Sequence, residues 1–377
     1  MTSLTVRKGH SLKKDESAAI EEIKEKIYSE KAKVYFLFIG AEYDFSLLGP
    51  LIKEAFSHAE VVACSTSGEI SDIGYSDYSL SGFSLSSERL SVKNFFIKDL
   101  DQFDPVKAKE FAGSLDYDFS QEQLLNPGLE RFGFLTIDGL SFKEEDTAGV
   151  LSSALGGIPF TGGSAADQLL FKETLVYHDG CFHRNCAVFS LFTTDHQFKL
   201  LKTQHFSPVD EVKMVVTNAN THKRVAYEIN GMPAATEYAR LIGVKEEDLG
   251  PDIYSAYPLM LKIGGEYYIR SIKDIGHDGS ISFFCSVEEG IVLTLAKGDD
   301  IVGKLDHYLE AVEEEFQPKI ILGCECVLRK REVQNKNLVE QSSLVMRRHN
   351  VMGFHTYGEQ LNGLHINQTF TGIAFGD

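Results

Sequence analysis

The chain has 377 residues, 43% hydrophobic and 24% charged, the balance of a folded protein too long for a single core and therefore expected to form two domains. A net charge of −18 argues against a nucleic-acid partner, which needs a local excess of lysine and arginine. No apolar stretch reaches the roughly 18–20 residues of a membrane span, and the first residues turn polar at once, so a cytoplasmic chain with reduced thiols is expected.

In chain order, residues 13–30 put Ile20, Ile23 and Ile27 on one helical face, which predicts an amphipathic helix in an N-terminal extension over residues 1–32. KVYFLFIG (33–40) is a strand buried on both faces, FSLLGPLIKEAFSHA (45–59) a helix, VVACSTSGEI (61–70) a strand running into a polar loop, and GFSLSSERLSVKNFF (82–96) a hairpin. The order recurs in RFGFLTIDG (131–139), EEDTAGVLSSAL (144–155), IPFTGGSAAD (158–167) and LVYHDGCFHRNCAVFSLF (175–192), which predicts an internal duplication within one domain. Past residue 222 the pattern changes to a helix at 233–244 and short strands at 266–272, 279–285 and 291–296. A helix at 298–316, a strand at 319–328, a helix at 333–349 and two closing strands complete a second domain. The expected fold is α/β, of the α+β kind, with mixed sheets flanked by helices and domains over 33–221 and 222–377. Arg329-Lys330-Arg331, with Lys336 nearby, is the densest basic run and reads as the solvated start of a helix.

Three stretches carry candidate chemistry. CSTSGE (64–69) offers Cys64 or Ser65 as a nucleophile with Glu69 near, but lacks the G-x-S-x-G elbow. A loop whose Ser65, Thr66 and backbone hold a small polar ligand, or a plain turn, suits it as well. FTGGSAAD (160–167) presents Gly162 and Gly163 at a strand end without a nucleotide-binding spacing. GFHTYGEQLNGLHINQTFTG (353–372) is dense in His355, Tyr357, Glu359, His365, Asn367 and Thr369. Two strands joined by QLNGLHI bring Tyr357 and Glu359 near Asn367 and Thr369, either as a wet hairpin face or as a ligand lining.

The cluster His178, Cys181, His183 and Cys186 invites a metal reading. With Asp179-Gly180 as a two-residue turn, His178 faces Cys181 and Val176 faces His183, while Cys186 falls on the other face. Tetrahedral zinc therefore fails on geometry. What remains is an imidazole able to serve as an axial haem ligand, with Arg184 or Lys172 in reach of a propionate, or a histidine held by ordinary hydrogen bonds.

Taken together, ACSTSGEI, GGIPFTGGSAADQ, KRVAYEINGMPAATEYARLIG, YYIRS and GFHTYGEQ…INQTFTGIAFG resemble the FIST sensory family from about residue 33 to the end. The resemblance implies a FIST N-terminal and a FIST C-terminal domain forming a non-catalytic signal-input module, often encoded beside a histidine kinase or cyclic-di-GMP machinery in bacterial two-component signalling. The hairpin looks like the stand-alone branch that binds haem b and senses nitric oxide to regulate a partner kinase. On that resemblance His178 is the first choice of metal ligand, His183 the second and His355 an outside candidate, where an aromatic residue is usual. The alternative is a haem-free sensor of a small polar metabolite such as an amino acid, held by Cys64, Ser65, Thr66, Gly162, Gly163, Tyr357, Glu359 and Asn367. A homodimer is compatible with either.

Overall fold

A computed structural model describes residues 3–125 and 128–377. The chain builds one unit three times. The first is β1 (Thr5–Ser11), α1 (Glu16–Ile27), β2 (Val34–Gly40), α2 (Phe45–Phe56), β3 (Glu60–Thr66), the hairpin β4 (Glu69–Ser71) and β5 (Gly74–Ser76), and β6 (Leu80–Ser86). The second is β7 (Leu90–Lys98), α3 (Pro105–Leu125), β8 (Glu130–Ile137), α4 (Glu144–Ala154), β9 (Phe160–Ser164), the hairpin β10 (Val176–His178) and β11 (Cys181–His183), and β12 (Cys186–Thr194).

The third unit opens with β13 (Phe198–Thr203) and is then interrupted. The insertion comprises β14 (Phe206–Asn220), β15 (Val225–Ile229), β16 (Met232–Pro233), α5 (Ala234–Ile242), α6 (Pro251–Ala256), β17 (Leu259–Ile263), β18 (Glu266–Arg270), β19 (Ile272–Ile275), β20 (Ile281–Phe283) and β21 (Val292–Gly298). Afterwards α7 (Ile301–Glu315), β22 (Ile320–Cys326), α8 (Val327–Asn335), α9 (Val339–Arg348), β23 (Val351–Thr356), the hairpin β24 (Glu359–Leu361) and β25 (Leu364–Ile366), and β26 (Phe370–Phe375) complete the unit.

Strand order reveals the repeat more clearly than residue identity. The sheets run β1-β6-β2-β3-β10-β11, β7-β12-β8-β9-β24-β25 and β13-β26-β22-β23-β4-β5. In each, a central parallel pair is flanked by antiparallel strands, and the outer hairpin comes from another unit. The first unit lends its hairpin to the third sheet, the second to the first, and the third to the second, so the exchange closes in a ring. The inner faces of all three sheets share one aromatic core, with Phe36 stacked on Phe83, Phe132 on Phe192 and Phe38 on Phe354 at 4.6–4.7 Å. Helices cover the outer faces. Burial on both sides is why β2 reads as unbroken VYFLFIG, with every residue buried.

The α+β class is observed, with mixed sheets and helical cover. The duplication is there too, but it is two-thirds of a triplication. The described part of the expected N-terminal extension, residues 3–32, is built into the first unit: β1 pairs along its whole length with β6, and α1 buries Ala19, Ile20, Ile23 and Ile27 against the first sheet. The expected boundary at 221/222 falls in the turn between β14 and β15, inside the insertion, whose eight strands form a sheet of their own. Residues 82–96 are not a hairpin, because β6 and β7 belong to different sheets and only share the central core.

Nor is 333–349 one helix. Asn337 takes a left-handed φ of 56° and divides α8 from α9. The basic run does open a helix, but not a solvated one. Arg329 is 1% and Lys330 5% exposed, each held by partners described below. Among the described residues, no helix is long and apolar enough to cross a membrane.

Candidate functional site where the repeats meet

Strands β3, β9 and β23 end side by side, and their backbones bond in a cycle. Ser67 N–H donates to His355 O (3.0 Å), Tyr357 N–H to Ser164 O (3.3 Å) and Ala166 N–H to Ser65 O (3.0 Å). A second cycle ties each strand end to the hairpin it receives: Ser65 N–H to Leu175 O, Ser164 N–H to Gly358 O and His355 N–H to Gly68 O, at 2.8–2.9 Å. Ser65, Ser164 and His355 are therefore equivalent positions, as are Thr66, Ala165 and Thr356.

Two of the three junctions are fastened by a buried carboxylate. Glu69 accepts from Thr66 Oγ1 and from the Ser79 hydroxyl and N–H. Glu359 accepts from Thr356 Oγ1 (2.5 Å) and from the Thr369 hydroxyl (2.5 Å) and N–H (3.3 Å). The sequence spacing is the same in both, T-x-G-E with the last donor ten residues on. Burial outweighs these bonds and raises Glu69 to about 7 and Glu359 to about 8. In the second unit the matching positions are Ala165, Val176 and Cys186, and the contact is apolar.

This geometry sorts the expected ligand residues. Cys64 is fully buried in the central core, and burial pushes its thiol well above the ordinary range, which disfavours a nucleophilic thiolate. Ser65 Oγ accepts from Leu175 N–H (2.9 Å), and Thr66 is committed to Glu69. Gly162 and Gly163 are strand glycines chosen for clearance. A Cβ on Gly162 would stand 2.0 Å from Leu135 O, and one on Gly163 2.8 Å from Phe354 and Thr356. Glu359 and Thr369 do meet, as the QLNGLHI turn requires, but as a fastening. Tyr357 donates to Asp167, whose carboxylate also takes the N–H groups of Phe171, Lys172 and Glu173. Of the eight, Asn367 alone is buried with both side-chain atoms, Nδ2 and Oδ1, unpartnered.

Asn367 has company. The insertion lies across the junction of the second and third units. Arg224 pairs with Glu144 (2.7 Å) and Glu145 (3.0 Å) at the start of α4, Ser286 N–H donates to Glu145 (2.5 Å), and Ser271 Oγ donates to Gln368 (2.9 Å). Beneath this cover sit Arg270 Nε and Nη1, His365 Nε2, both amide atoms of Asn367 and Gln360 Oε1, all buried and without a hydrogen-bond partner. Gln360 Nε2–H donates to His365 Nδ1 (3.1 Å) and to Ser164 Oγ (2.8 Å). The His365 proton must then reside on the free Nε2. Burial, with Arg224 and Arg270 nearby, holds His365 neutral, far below its usual pKa. Buried polar atoms are rarely left unpaired, so a group of them marks a place built for something else. A void of about 20 Å³ under the same cover is lined by Phe142, Phe171, Arg224, Lys273, Phe284 and Tyr357, and Arg270, Gln360, His365 and Asn367 are not among its lining residues.

The sequence names two of these residues, His365 and Asn367, in a polar stretch. It misses Gln360 and Arg270, although an arginine closing the apolar strand of YYIRS is a signal of its own.

The hairpin β10–β11 forms as expected, with His178 opposite Cys181 and Val176 opposite His183. Cys186 lies not on its far face but in another sheet, because Asn185 at φ 50° turns the chain into β12. An axial haem ligand needs an apolar slot opening at an imidazole nitrogen. Here the His178 ring lies flat on Phe96 (4.5 Å, 4°), and His183 packs on the same ring (5.0 Å). Charged pairs surround them: Lys53 with Asp179 (2.9 Å), and exposed Arg184 with Glu173 (3.2 Å). Lys172 lines a cleft of about 670 Å³, but that cleft borders Phe182 and Gly180. His355 is buried edge-on to Tyr75 (4.6 Å). This arrangement does not fit haem. Among the described residues, no three His, Cys, Asp or Glu side chains are grouped to hold a metal ion.

Comparison with known proteins places the chain. Residues 33–232 match the FIST N domain and residues 234–362 the FIST C domain. The chain belongs to the FIST family. Its role is accordingly a sensory one in signal transduction. An uncharacterised protein of Methanocaldococcus jannaschii is 26% identical over 282 residues, 64% of this chain and 53% of its own length. The FIST chain thus spans about half of that relative. Among solved structures, a cyanuric acid hydrolase described as an evolutionary innovation by structural concatenation aligns over 100% of both chains with a TM-score of 0.34 and 9% identity. So slight a likeness supports no conclusion about either fold or activity.

Proposed function

We propose that this FIST protein is a haem-free signal-input module that takes a small polar ligand between its insertion and the junction of the second and third units. The observation that carries the reading is the group of unpartnered buried polar atoms on Arg270, Gln360, His365 and Asn367. Those atoms are buried beneath the insertion. The described state is therefore the closed one, and a ligand enters as the insertion lifts.

Such a movement would be felt at a distance. At the root of the insertion, His205 Nε2–H donates to Glu332 (2.8 Å), and Arg329 donates to His205 Nδ1 (2.8 Å) and to Glu325 (3.1 Å). Glu325 in turn accepts from Tyr75 of β5. Ligand-dependent populations of two insertion positions would alter this chain of contacts and so the surface offered to a partner. A histidine kinase as that partner is part of the proposal and rests on the family's sensory role.

The test uses the full-length protein expressed with ample haem and screened by thermal melting against amino acids, organic acids, sugars and nucleosides. A colourless protein whose melting temperature rises with one class supports the reading. A Soret band that disappears in His178→Ala would restore the haem alternative instead.

A further inference from the structure

We infer that the ligand of this site is a small carboxylate, with Arg270 as its charge partner. The inference rests on the small-ligand reading above and narrows it. Arg270 is 8% exposed, and its Nε and Nη1 have no hydrogen-bond partner. No carboxylate of a described residue forms an ion pair with it. The Cys285 thiol is a weak hydrogen-bond partner of Arg270, and the guanidinium lies near enough to His365 to oppose its protonation. Two other buried arginines are answered by carboxylates, Arg224 by Glu144 and Glu145 and Arg329 by Glu325, and a third, Arg131, donates to the Leu115 carbonyl. A buried guanidinium without an anion is costly, and the cost falls when an anion is supplied.

The neighbouring free groups are of matching sign. His365 Nε2 carries a proton because Nδ1 accepts from Gln360, and Asn367 Nδ2 brings two more N–H groups. A Cβ placed on Gly358 would lie 2.7 Å from His365 Nε2 and 2.8 Å from Asn367 Nδ2, so both nitrogens pack side by side against this glycine. Three kinds of N–H donor, one of them fully charged, form a set that a carboxylate satisfies and a neutral amide does not. Gln360 Oε1 is the one free acceptor with a fixed partner on its nitrogen. It would take an N–H or O–H carried by the same ligand.

The experiment is titration calorimetry and thermal melting of the full-length protein with acetate, L-alanine and succinate, each against its amide (acetamide, L-alaninamide, succinamide), and with inorganic phosphate. At least one acid is expected to bind and to raise the melting temperature, with its amide at least about tenfold weaker, the loss expected for a charge-assisted bond. Arg270→Gln should abolish that difference while melting higher than the wild type without ligand, since it removes an uncompensated buried charge. Asn367→Asp, which sets a like charge beside the ligand, should weaken the acid by a similar factor. Equal binding of acid and amide, binding of phosphate alone, or acid binding that survives in Arg270→Gln overturns the carboxylate assignment while leaving a small-ligand sensor intact. If neither these probes nor any compound of the broader screen binds, the small-ligand reading falls with it.

Discussion

The hairpins β10–β11 and β24–β25 stand at equivalent places and make the same turn, Asp179-Gly180 in one and Asn362-Gly363 in the other, with both turn residues at positive φ in each. They present their polar groups to opposite sides. Val176, Tyr177 and Phe182 of the first match Glu359, Gln360 and His365 of the second. In the first hairpin the imidazoles alternate onto Phe96 at a rim, and Tyr177 and Phe182 pack toward α2. In the second, Gln360 and His365 occupy those outward positions, where the insertion covers them. One step of strand alternation decides whether a histidine becomes surface packing or part of a closed polar site. The first hairpin looks like a ligand site on composition; the second carries the buried, unpartnered polar atoms on which the proposed site rests.

The largest effect should come from carrying the third unit's fastening into the second. Val176→Glu places a carboxylate in the central core where Ala165 and Cys186 offer neither of the two hydroxyls found around Glu359. A loss of more than about 4 kcal/mol is expected in urea unfolding. Adding Ala165→Thr and Cys186→Ser should recover part of it. No recovery would mean that the three junctions are less alike than their backbone bonds indicate.

Next is Gly358→Ala. Its Cβ would meet His365 Cε1 at 2.2 Å, inside a buried cluster that cannot yield. About 2–4 kcal/mol of stability should be lost, together with any ligand response. The matching Gly68→Ala meets the end of the Lys330 side chain, which must leave Asp77 and the Ser67 carbonyl but can turn toward solvent more easily than a packed ring, and should be milder, although φ of 115° still strains it. Similar losses at both would show that backbone strain, not the polar cluster, sets the cost.

These cases also show what was legible beforehand. The apolar runs of β2, β8 and β22 announce buried strands, because both faces of each sheet are covered. The repeat of strand, helix, strand and loop is visible in the first two units. The third copy was hidden because residues 204–300 interrupt it between β13 and α7. The repeat also survives as hydrogen-bond positions (Ser65, Ser164, His355) and not as residue identities. Exchange of hairpins between units is a long-range pairing that no local pattern encodes. For the same reason Arg329 and Lys330 read as surface charges. Their partners, Glu325, His205, Asp77 and the Ser67 carbonyl, are mostly far away in the chain. Asn367 was legible as polar, but that its amide is unpartnered appears only once Arg270 and the insertion are in place.

The carboxylate fastenings make stability depend on pH in a stated direction. Glu69 and Glu359 are raised in the folded state from 4.5 to about 7 and about 8. The folded protein therefore holds more protons than the unfolded one between these values. Their contribution is complete below about pH 4.5 and is lost as pH rises toward 8, on the order of a few kcal/mol. Urea midpoints should fall across that range. Glu359→Gln, which keeps the neutral shape, should flatten the fall and cost about 1 kcal/mol or less at pH 5. A midpoint that rises from pH 5 to 8 would mean that the carboxylates are ionised and better solvated than their burial implies.

The smallest effect belongs to the residue that the sequence singles out most strongly. His178 loses only its stack on Phe96 when changed to alanine, and the imidazole is partly exposed. About 1 kcal/mol is expected, the usual worth of such a ring pair. Arg184→Ala, which breaks one exposed pair with Glu173, should cost under about 0.5 kcal/mol. Neither change should alter ligand binding, because His178 and Arg184 belong to the hairpin segment at the edge of the first sheet, whereas Gln360 and His365 belong to the hairpin of the second. The check is the same titration run on both variants. If His178→Ala weakens the ligand as much as Asn367→Asp does, the two hairpins share a site after all, and their division into packing and sensing fails.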